Sequence, residues 1–294
     1  MSAAQNAEGL TFIVTGANSG VGLETARGLA RTGATVVMTA RGREKGEAAL
    51  RDVRASTGND RLRLQMLDLA SLADVQRAAD ELTGLERVDG LINNAGLGTS
   101  KEGRTEDGFE LIMGTNHVGP FALTAALLPK LLETARVRGQ ARVVNVASEA
   151  HRLARSFDAD ARLSGAPSGF KAYGNSKMAN LLHARELAER HGEEGLRAHA
   201  VHPGFVDSGF FRAEHYPGPW QLVDKLTKPF QVSPQEGAKT SLHAALSDQA
   251  GELNGHYWAK SRPKPPSLPD EPKAAQRALW EATEAAIRAA TRPS

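Results

Sequence analysis

Residues Leu10–Thr15 read LTFIVT and run directly into Thr15-Gly16-Ala17-Asn18-Ser19-Gly20-Val21-Gly22. The first stretch is apolar and β-branched, which predicts a strand buried on both faces. The stretch after it, Val21–Arg31, has the apolar spacing of a helix. Three glycines therefore mark a strand-to-helix turn. Glycine there lets the backbone turn tightly and come close to a pyrophosphate, whose charge the helix N-terminus stabilises. The spacing is Gly-x3-Gly-x-Gly, not Gly-x-Gly-x-x-Gly. By itself the cluster also reads as a loop with three turn glycines. Its place inside a strand–helix–strand unit favours dinucleotide binding.

The alternation continues outward from that turn. Further strands are expected at Thr35–Thr39, Leu62–Leu67, Val88–Asn93, Arg142–Ala147, Ala198–Val201 and His256–Ala259. Helices are expected at Arg43–Ser56, Leu72–Thr83, Lys171–Glu189 and Pro234–Leu246, with Ser71 and Ser233 as N-caps. A long helical segment runs from Glu106 to Arg136, and Pro120 should kink or divide it. This pattern predicts an α/β fold: a single doubly wound, Rossmann-type domain with a central, mostly parallel, seven-stranded sheet flanked by helices. Residues 1–9 are expected to be a flexible N-terminus and 10–260 the catalytic domain. Residues 261–294 are expected to form a proline-rich strap, SRPKPPSLPDEP, and a last amphipathic helix anchored by Leu279 and Trp280.

Composition narrows the function classes. The 294 residues include 36 Lys+Arg and 34 Asp+Glu, a net charge of +2. That balance gives no electrostatic case for a nucleic-acid partner or a polybasic membrane anchor. There is no cysteine, which excludes disulfides, thiolate metal sites and a cysteine nucleophile. Nine histidines include no His-Glu-x-x-His, so no metal site is expected; His117, His151 and His202 read as packing or supporting groups. The start MSAAQNAEGLTF is not a secretory signal. The apolar stretch GPFALTAALLP is shorter than the ~20 residues of a membrane span. The expectation is a soluble, cytoplasmic chain.

Cofactor choice is read at the end of the second strand. A carboxylate ~20 residues beyond the glycine turn would accept from a ribose 2′-hydroxyl and favour NAD. Here the sequence is Thr39-Ala40-Arg41-Gly42-Arg43, with no acid before Glu44. Arg41 is placed to pair with a 2′-phosphate, with Arg43 assisting, which predicts NADP(H). The other reading is two solvated surface arginines.

Chemistry concentrates in a few places. Tyr173 and Lys177 are four apart on an expected helix, so they share a face. A phenol titrates near pH ~10, and a neighbouring ammonium lowers that toward a useful range. Ser148 follows an expected strand, where ligands sit in open α/β sheets. Asn93-Asn94-Ala95-Gly96 ends another, and Asn116 is a polar residue inside an apolar helix, needing a partner.

With these residues in order, the chain resembles the short-chain dehydrogenase/reductase family over nearly its whole length. TGANSGVG resembles the family's cofactor turn and NNAG at Asn93–Gly96 its sheet motif. Ser148, Tyr173 and Lys177 match its catalytic residues, extended by Asn116, and His202-Pro203-Gly204-Phe205-Val206 resembles its nicotinamide-side loop. VNVASEAH, YGNSKMANLLHARELA, AVHPGFV and ALWEATE are similar to the retinol dehydrogenase-like branch, which includes WW-domain oxidoreductases. The sequence shows no WW motif and no N-terminal anchor of the membrane-bound members, so neither is expected.

The resemblance implies an oxidoreductase: an alcohol dehydrogenase or carbonyl reductase moving hydride between a nicotinamide and a carbonyl carbon. Tyr173 would be the acid–base group, Ser148 would hydrogen-bond the reacting oxygen, and Lys177 would hold the ribose. Asn116 would position a water. Gly16, Asn18, Ser19, Gly20, Val21 and Gly22 would line the phosphates with Thr15. Asn94, Ala95 and Gly96 would lie at the ribose, and Pro203, Gly204 and Val206 at the nicotinamide with Ser208. Asp68, with Leu69, would contact the adenine; capping the helix at Leu72 is the other role open to it. Phe205, Phe210 and Phe211 would touch a bulky hydrophobic substrate, under a lid at 207–232 whose aromatics suit simple packing equally well. The insert His151–Phe170 forms another wall. Family members form dimers or tetramers, so a homo-oligomer is one outcome, although strap and last helix are placed to cover such a surface. The rival functions are a non-catalytic dinucleotide sensor or scaffold, and an epimerase or dehydratase using Glu149 as an extra acid–base group.

Overall fold

The computed structural model describes residues 6–99, 102–154, 169–206 and 231–292. Strand β1 (Thr11–Val14) turns into helix α1 (Gly20–Arg31); β2 (Thr35–Ala40), α2 (Arg43–Thr57), β3 (Leu62–Met66) and α3 (Leu72–Thr83) follow. Then come β4 (Gly90–Asn93), α4 (Leu111–Arg138), β5 (Ala141–Val146), α5 (Phe170–His191) and β6 (Leu196–His202). The chain ends with α6 (Pro234–Leu246), a short α7 (Asp248–Glu252), β7 (Tyr257–Ala259), β8 (Arg262–Pro263) and α8 (Pro272–Ala290).

All eight strands form one Rossmann-type sheet in the order β3-β2-β1-β4-β5-β6-β7-β8. It is parallel except at its last pair. Every residue of β4 and β5 is buried, as continuous apolar strands between two helical layers must be. The order reverses between β1 and β4, and the loops leaving their carboxyl ends part to form a crevice.

Two expectations need correcting. The sheet has eight strands, not seven. The extra strand pairs Trp258 with Pro263 and Ala259 with Arg262. Its two-residue turn is Lys260-Ser261, with φ of 51° and 55°, the geometry of a type I′ hairpin. The usual Asn-Gly signal is absent, and Pro263 disguises an edge strand as loop. The flexible stretch set at 1–9 is also too long: Ala7 is buried and its N–H donates to the Thr32 carbonyl at 3.0 Å. The lid at 207–232 falls almost wholly outside the described residues, as does most of the insert after Ala154.

The interruption expected at Pro120 takes the form of a π-helical turn, Gly114–Val118, just before it, after which α-helix runs on from Gly119 to Arg138. A proline ring crowds the carbonyl four residues back and offers it no N–H; the wider turn relieves that crowding and places Asn116 at the bend. By length and composition α4 would cross a membrane, but 67% of its most apolar window is buried within the protein. Its proline-spanning length was hidden by reading GPFALTAALLP as the whole apolar stretch.

The caps form as expected. Ser71 Oγ accepts from the Asp74 N–H at 3.4 Å and Ser233 Oγ from the Glu236 N–H at 3.2 Å. Helix α8 docks by burying Leu279 and Trp280. The indole lies 4.8 Å from the Phe121 ring, edge to face, and the Arg190 guanidinium covers it at 4.6 Å. Truncating such an anchor leaves a cavity, so Trp280→Ala is expected to lower unfolding free energy by ~3 kcal/mol or more, read as an earlier denaturant midpoint.

Candidate active site

The crevice is held together by the hydroxyl of Thr15. Its Oγ1 accepts from the N–H groups of Asn94 and Ala95, each at 3.0 Å, while Asn94 Nδ2 donates to the Thr15 carbonyl at 2.9 Å. The glycine turn and the loop after β4 are thereby pressed together. Gly16 has φ +63°, and a Cβ on Gly22 would stand 2.3 Å from Asn94 Nδ2. Only glycine fits there. Ser19, the N-cap of α1, makes no side-chain cap bond, and the first turn of α1 carries no acid. Its leading N–H groups therefore face the crevice with no negative group of the protein to spend them on.

The cavity in this crevice encloses about 650 Å³. Gly16, Asn18, Ser19, Gly20, Val21 and Gly22 line it on one side, with Arg41, Asp68 and Leu69 at the adjoining corner. Asn94, Ala95 and Gly96 form its floor, and Ser148, Tyr173 and Lys177 face them. Pro203, Gly204, Phe205 and Val206 close the far side. Phe210 and Phe211 lie outside the described residues, as does Ser208. Asn116 does not line the cavity; it sits behind Gly96.

Arg41 is exposed, and no carboxylate accompanies it at the end of β2. Arg43 is engaged elsewhere, 3.7 Å from Glu47 along α2. Asp68 does turn-building work: its Oδ1 accepts from the Ala70 N–H at 2.9 Å. It lines the cavity as well, but it does not cap α3: Ser71 Oγ accepts from the Asp74 N–H and Asp107 Oδ2 from the Leu72 N–H.

Lys177 is buried, and its Nζ donates to the Val146 carbonyl at 3.0 Å and lies 5.3 Å from the Tyr173 ring centre. Burial with no carboxylate partner lowers its pKa to about 8, because the charged form loses its hydration. The same carbonyl accepts from Asn180 Nδ2 at 3.2 Å. Asn145 Nδ2 donates to the Asn180 carbonyl at 3.2 Å and to His183 Nδ1, also at 3.2 Å; Asn145 Oδ1 accepts from Asn93 Nδ2 at 2.9 Å. This polar seam locks α5 to β4 and β5. The amide of Asn116 is engaged at both ends: Oδ1 accepts from Leu97 N–H at 2.7 Å, and Nδ2 donates to the Leu97 carbonyl at 2.9 Å and to Ser176 Oγ at 3.1 Å.

Ser148 has an extended backbone and caps the 3₁₀ turn Glu149–Leu153, its Oγ accepting from the Ala150 N–H at 3.2 Å. Beside it, burial alone would raise the pKa of Glu149. Hydrogen bonds from Tyr257, Arg152 and Lys264 outweigh that and hold it at about 2. His202 also lines the cavity, and burial lowers its pKa to about 4, so the ring is neutral at physiological pH.

Sequence reading did not place Ser176, Asn180, Tyr257 or Lys264 in this neighbourhood. Ser176 had a signal, three residues beyond Tyr173 on one helix face. Tyr257 and Lys264 had none, because they arrive from a hairpin more than 100 residues beyond Glu149.

Comparison with known proteins agrees with this arrangement. A family model described as short chain dehydrogenase matches residues 11–216. Dehydrogenase/reductase SDR family member 13 of Bos taurus is 44% identical over 282 residues, covering 94% of this chain and 72% of that protein. Retinol dehydrogenase 12 of Mus musculus is 41% identical over 252 residues, covering 85% and 78%. Among solved structures, an uncharacterised protein from Mycobacterium paratuberculosis aligns with TM-score 0.72 and 35% identity over 97% of this chain and 95% of that one. The Pseudomonas aeruginosa RhlG/NADP active-site complex aligns with TM-score 0.70 and 27% identity, covering 88% and 97%. Sequence, fold and site together place the chain in the short-chain dehydrogenase/reductase family, in its retinol dehydrogenase-like branch.

Proposed function

We propose that this chain is an NADP(H)-dependent oxidoreductase that interconverts a carbonyl and an alcohol on a bulky hydrophobic substrate. The observation that carries the reading is that Ser148, Tyr173 and Lys177 share one cavity with the glycine cradle. The residues present fit a dinucleotide. Gly16 and Gly22 let the turn close tightly on Asn94 and Ala95, where a Cβ would clash, so that backbone rather than side chains lines this end of the cavity, and the uncapped start of α1 suits a pyrophosphate. The exposed Arg41, which makes no ion pair with a carboxylate among the described residues, suits a 2′-phosphate. The RhlG relative is an NADP complex, which supports the same choice. When bound, the nicotinamide supplies or accepts the hydride.

The chain's own residues supply the proton. Tyr173 carries it on its phenol oxygen and gives it to the carbonyl oxygen in reduction, or takes it back in oxidation. Ser148 Oγ donates a hydrogen bond to that same oxygen and stabilises charge developing there. The Lys177 ammonium favours the phenolate by its charge and keeps two N–H groups for ribose hydroxyls after serving Val146. With both Asn116 amide donors engaged, the backbone carbonyl of this residue, to which Pro120 offers no N–H, is a natural perch for a water. Phe170 lines the cavity and Phe205 its open edge, 37% exposed; these rings suit an apolar substrate. Glu149, the acid an epimerase or dehydratase reading requires, is tied by three hydrogen bonds and is a poor proton carrier near neutral pH.

Tyr173→Phe is expected to lower carbonyl reduction at least ~100-fold while NADPH affinity holds, followed by nicotinamide absorbance. The parent should prefer NADPH to NADH. Arg41→Ala should cut kcat/KM for NADPH ~10-fold or more and leave NADH unchanged; equal use of both by the parent refutes the cofactor assignment. Lys177→Met should abolish turnover yet raise Tm by ~2 °C or more at pH ~7, because a buried charge is removed. Below pH 8 the lysine is protonated in folded and unfolded chains, so its full burial cost is present. Between about 8 and the ordinary 10.5 only the unfolded chain keeps the proton, so the Tm gap should close as pH rises through that window.

A further inference from the structure

The turn that carries Ser148 is gripped from behind by the end of the chain. Tyr257, buried on β7, donates from its hydroxyl to Glu149 Oε1 at 2.7 Å. Lys264, just past β8, reaches the same oxygen at 3.1 Å. Arg152 Nε holds Oε2 at 2.7 Å. Two residues after Glu149, His151 is fully buried and its ring meets that of Tyr257 edge-on at 5.1 Å.

Both ring nitrogens of His151 are committed. Nδ1 lies 2.6 Å from the Ser148 carbonyl, and Nε2 receives the Ser267 N–H at 3.1 Å. A carbonyl only accepts and an amide N–H only donates, so the ring carries its proton on Nδ1. A continuous path therefore runs from the strap, through the imidazole, to the backbone of Ser148. On its other side the same turn packs against the helix that presents Tyr173: a Cβ on Gly174 would come within 2.9 Å of the Ala150 carbonyl. Any shift of the turn changes the spacing between serine and tyrosine.

We propose that the segment from Tyr257 to Ser267 is the positioning frame of Ser148, acting through Glu149 and His151 to aim the serine hydroxyl at the reacting oxygen. The inference rests on the carbonyl–alcohol reading above. Misplacing a catalytic group costs rate steeply, and a largely half-buried or exposed turn, with only His151 buried, held only by its own short 3₁₀ bonds leaves that freedom. The frame removes it with three side-chain bonds from residues far away in sequence. His151, Glu149 and Tyr257 are positioning residues, since none of the contacts described puts them on the reacting atoms.

The test uses the full chain, NADPH and a panel of hydrophobic ketones and aldehydes. His151→Asn keeps a donor in reach of the Ser148 carbonyl and loses the strap; His151→Gln does the reverse. Tyr257→Phe removes one oxygen and keeps the ring. The histidine variants are expected to lose ~10-fold or more in kcat and Tyr257→Phe ~3-fold or more, with NADPH affinity unchanged. Repeated on Ser148→Ala, whose residual turnover is the baseline, the same substitutions should change kcat less than ~2-fold, because variants acting through one group are not additive. If the histidine variants fail to melt cooperatively, Tyr257→Phe decides alone. Full losses persisting on Ser148→Ala, or single variants as fast as the parent, overturn the frame and leave the reaction standing. A parent that binds NADPH but reduces nothing in the panel, with Tyr173→Phe no different, overturns the reaction and the frame together.

Discussion

The carbonyl of Val146 is the point on which the site depends. It accepts from the ammonium of Lys177 and from the amide of Asn180 at once. A charge without a carboxylate partner is costly to bury, and the fold tolerates it only because β5 ends there and α5 is tied down beside it. Asn93, Asn145 and His183 complete that tie. The seam is paid for in desolvated polar groups, and what it secures is a lysine close under the Tyr173 ring. A fold optimised for stability alone would put an aliphatic side chain there.

Much of this was legible before any coordinates. Strands β1, β2, β4 and β5 were readable because buried parallel strands carry largely apolar runs, β3, β6 and β7 by their place in the strand–helix alternation, and Ser71 and Ser233 announced their helices. The residues that line the cavity were readable because each sits at a strand end or one helical turn from such a residue. Other features follow from forces that leave no local mark. Strand β8 is two residues of a proline-rich segment, stabilised only by a turn in which Lys260 and Ser261 adopt positive φ. The π-helical turn at Asn116 arises from a clash with Pro120, which sequence rules translate into a kink. The grip of Tyr257 and Ser267 on the serine turn spans more than 100 residues, beyond any spacing rule.

The two sides of the crevice are built on different principles. On the glycine side, backbone does the work: N–H groups, close approach and absent side chains. On the opposite side, side chains do it, and each is braced by another, Asn116 by Leu97 and Ser176, Lys177 by Val146, Glu149 by Tyr257. The first side is shaped by what the backbone leaves open; the second by which side chains are held in place.

The tip of β2 illustrates a different freedom. Arg41 stands exposed, and a Cβ on Gly42 would meet nothing within 4 Å. Gly42 caps α2 with its backbone alone, and no buried side-chain hydrogen bond among the described residues involves either position. On the cofactor reading proposed above, that corner can therefore change from cation to neutral or acid at little cost to the core. Single substitutions there would then alter which dinucleotide is favoured, while the braced wall opposite stays fixed.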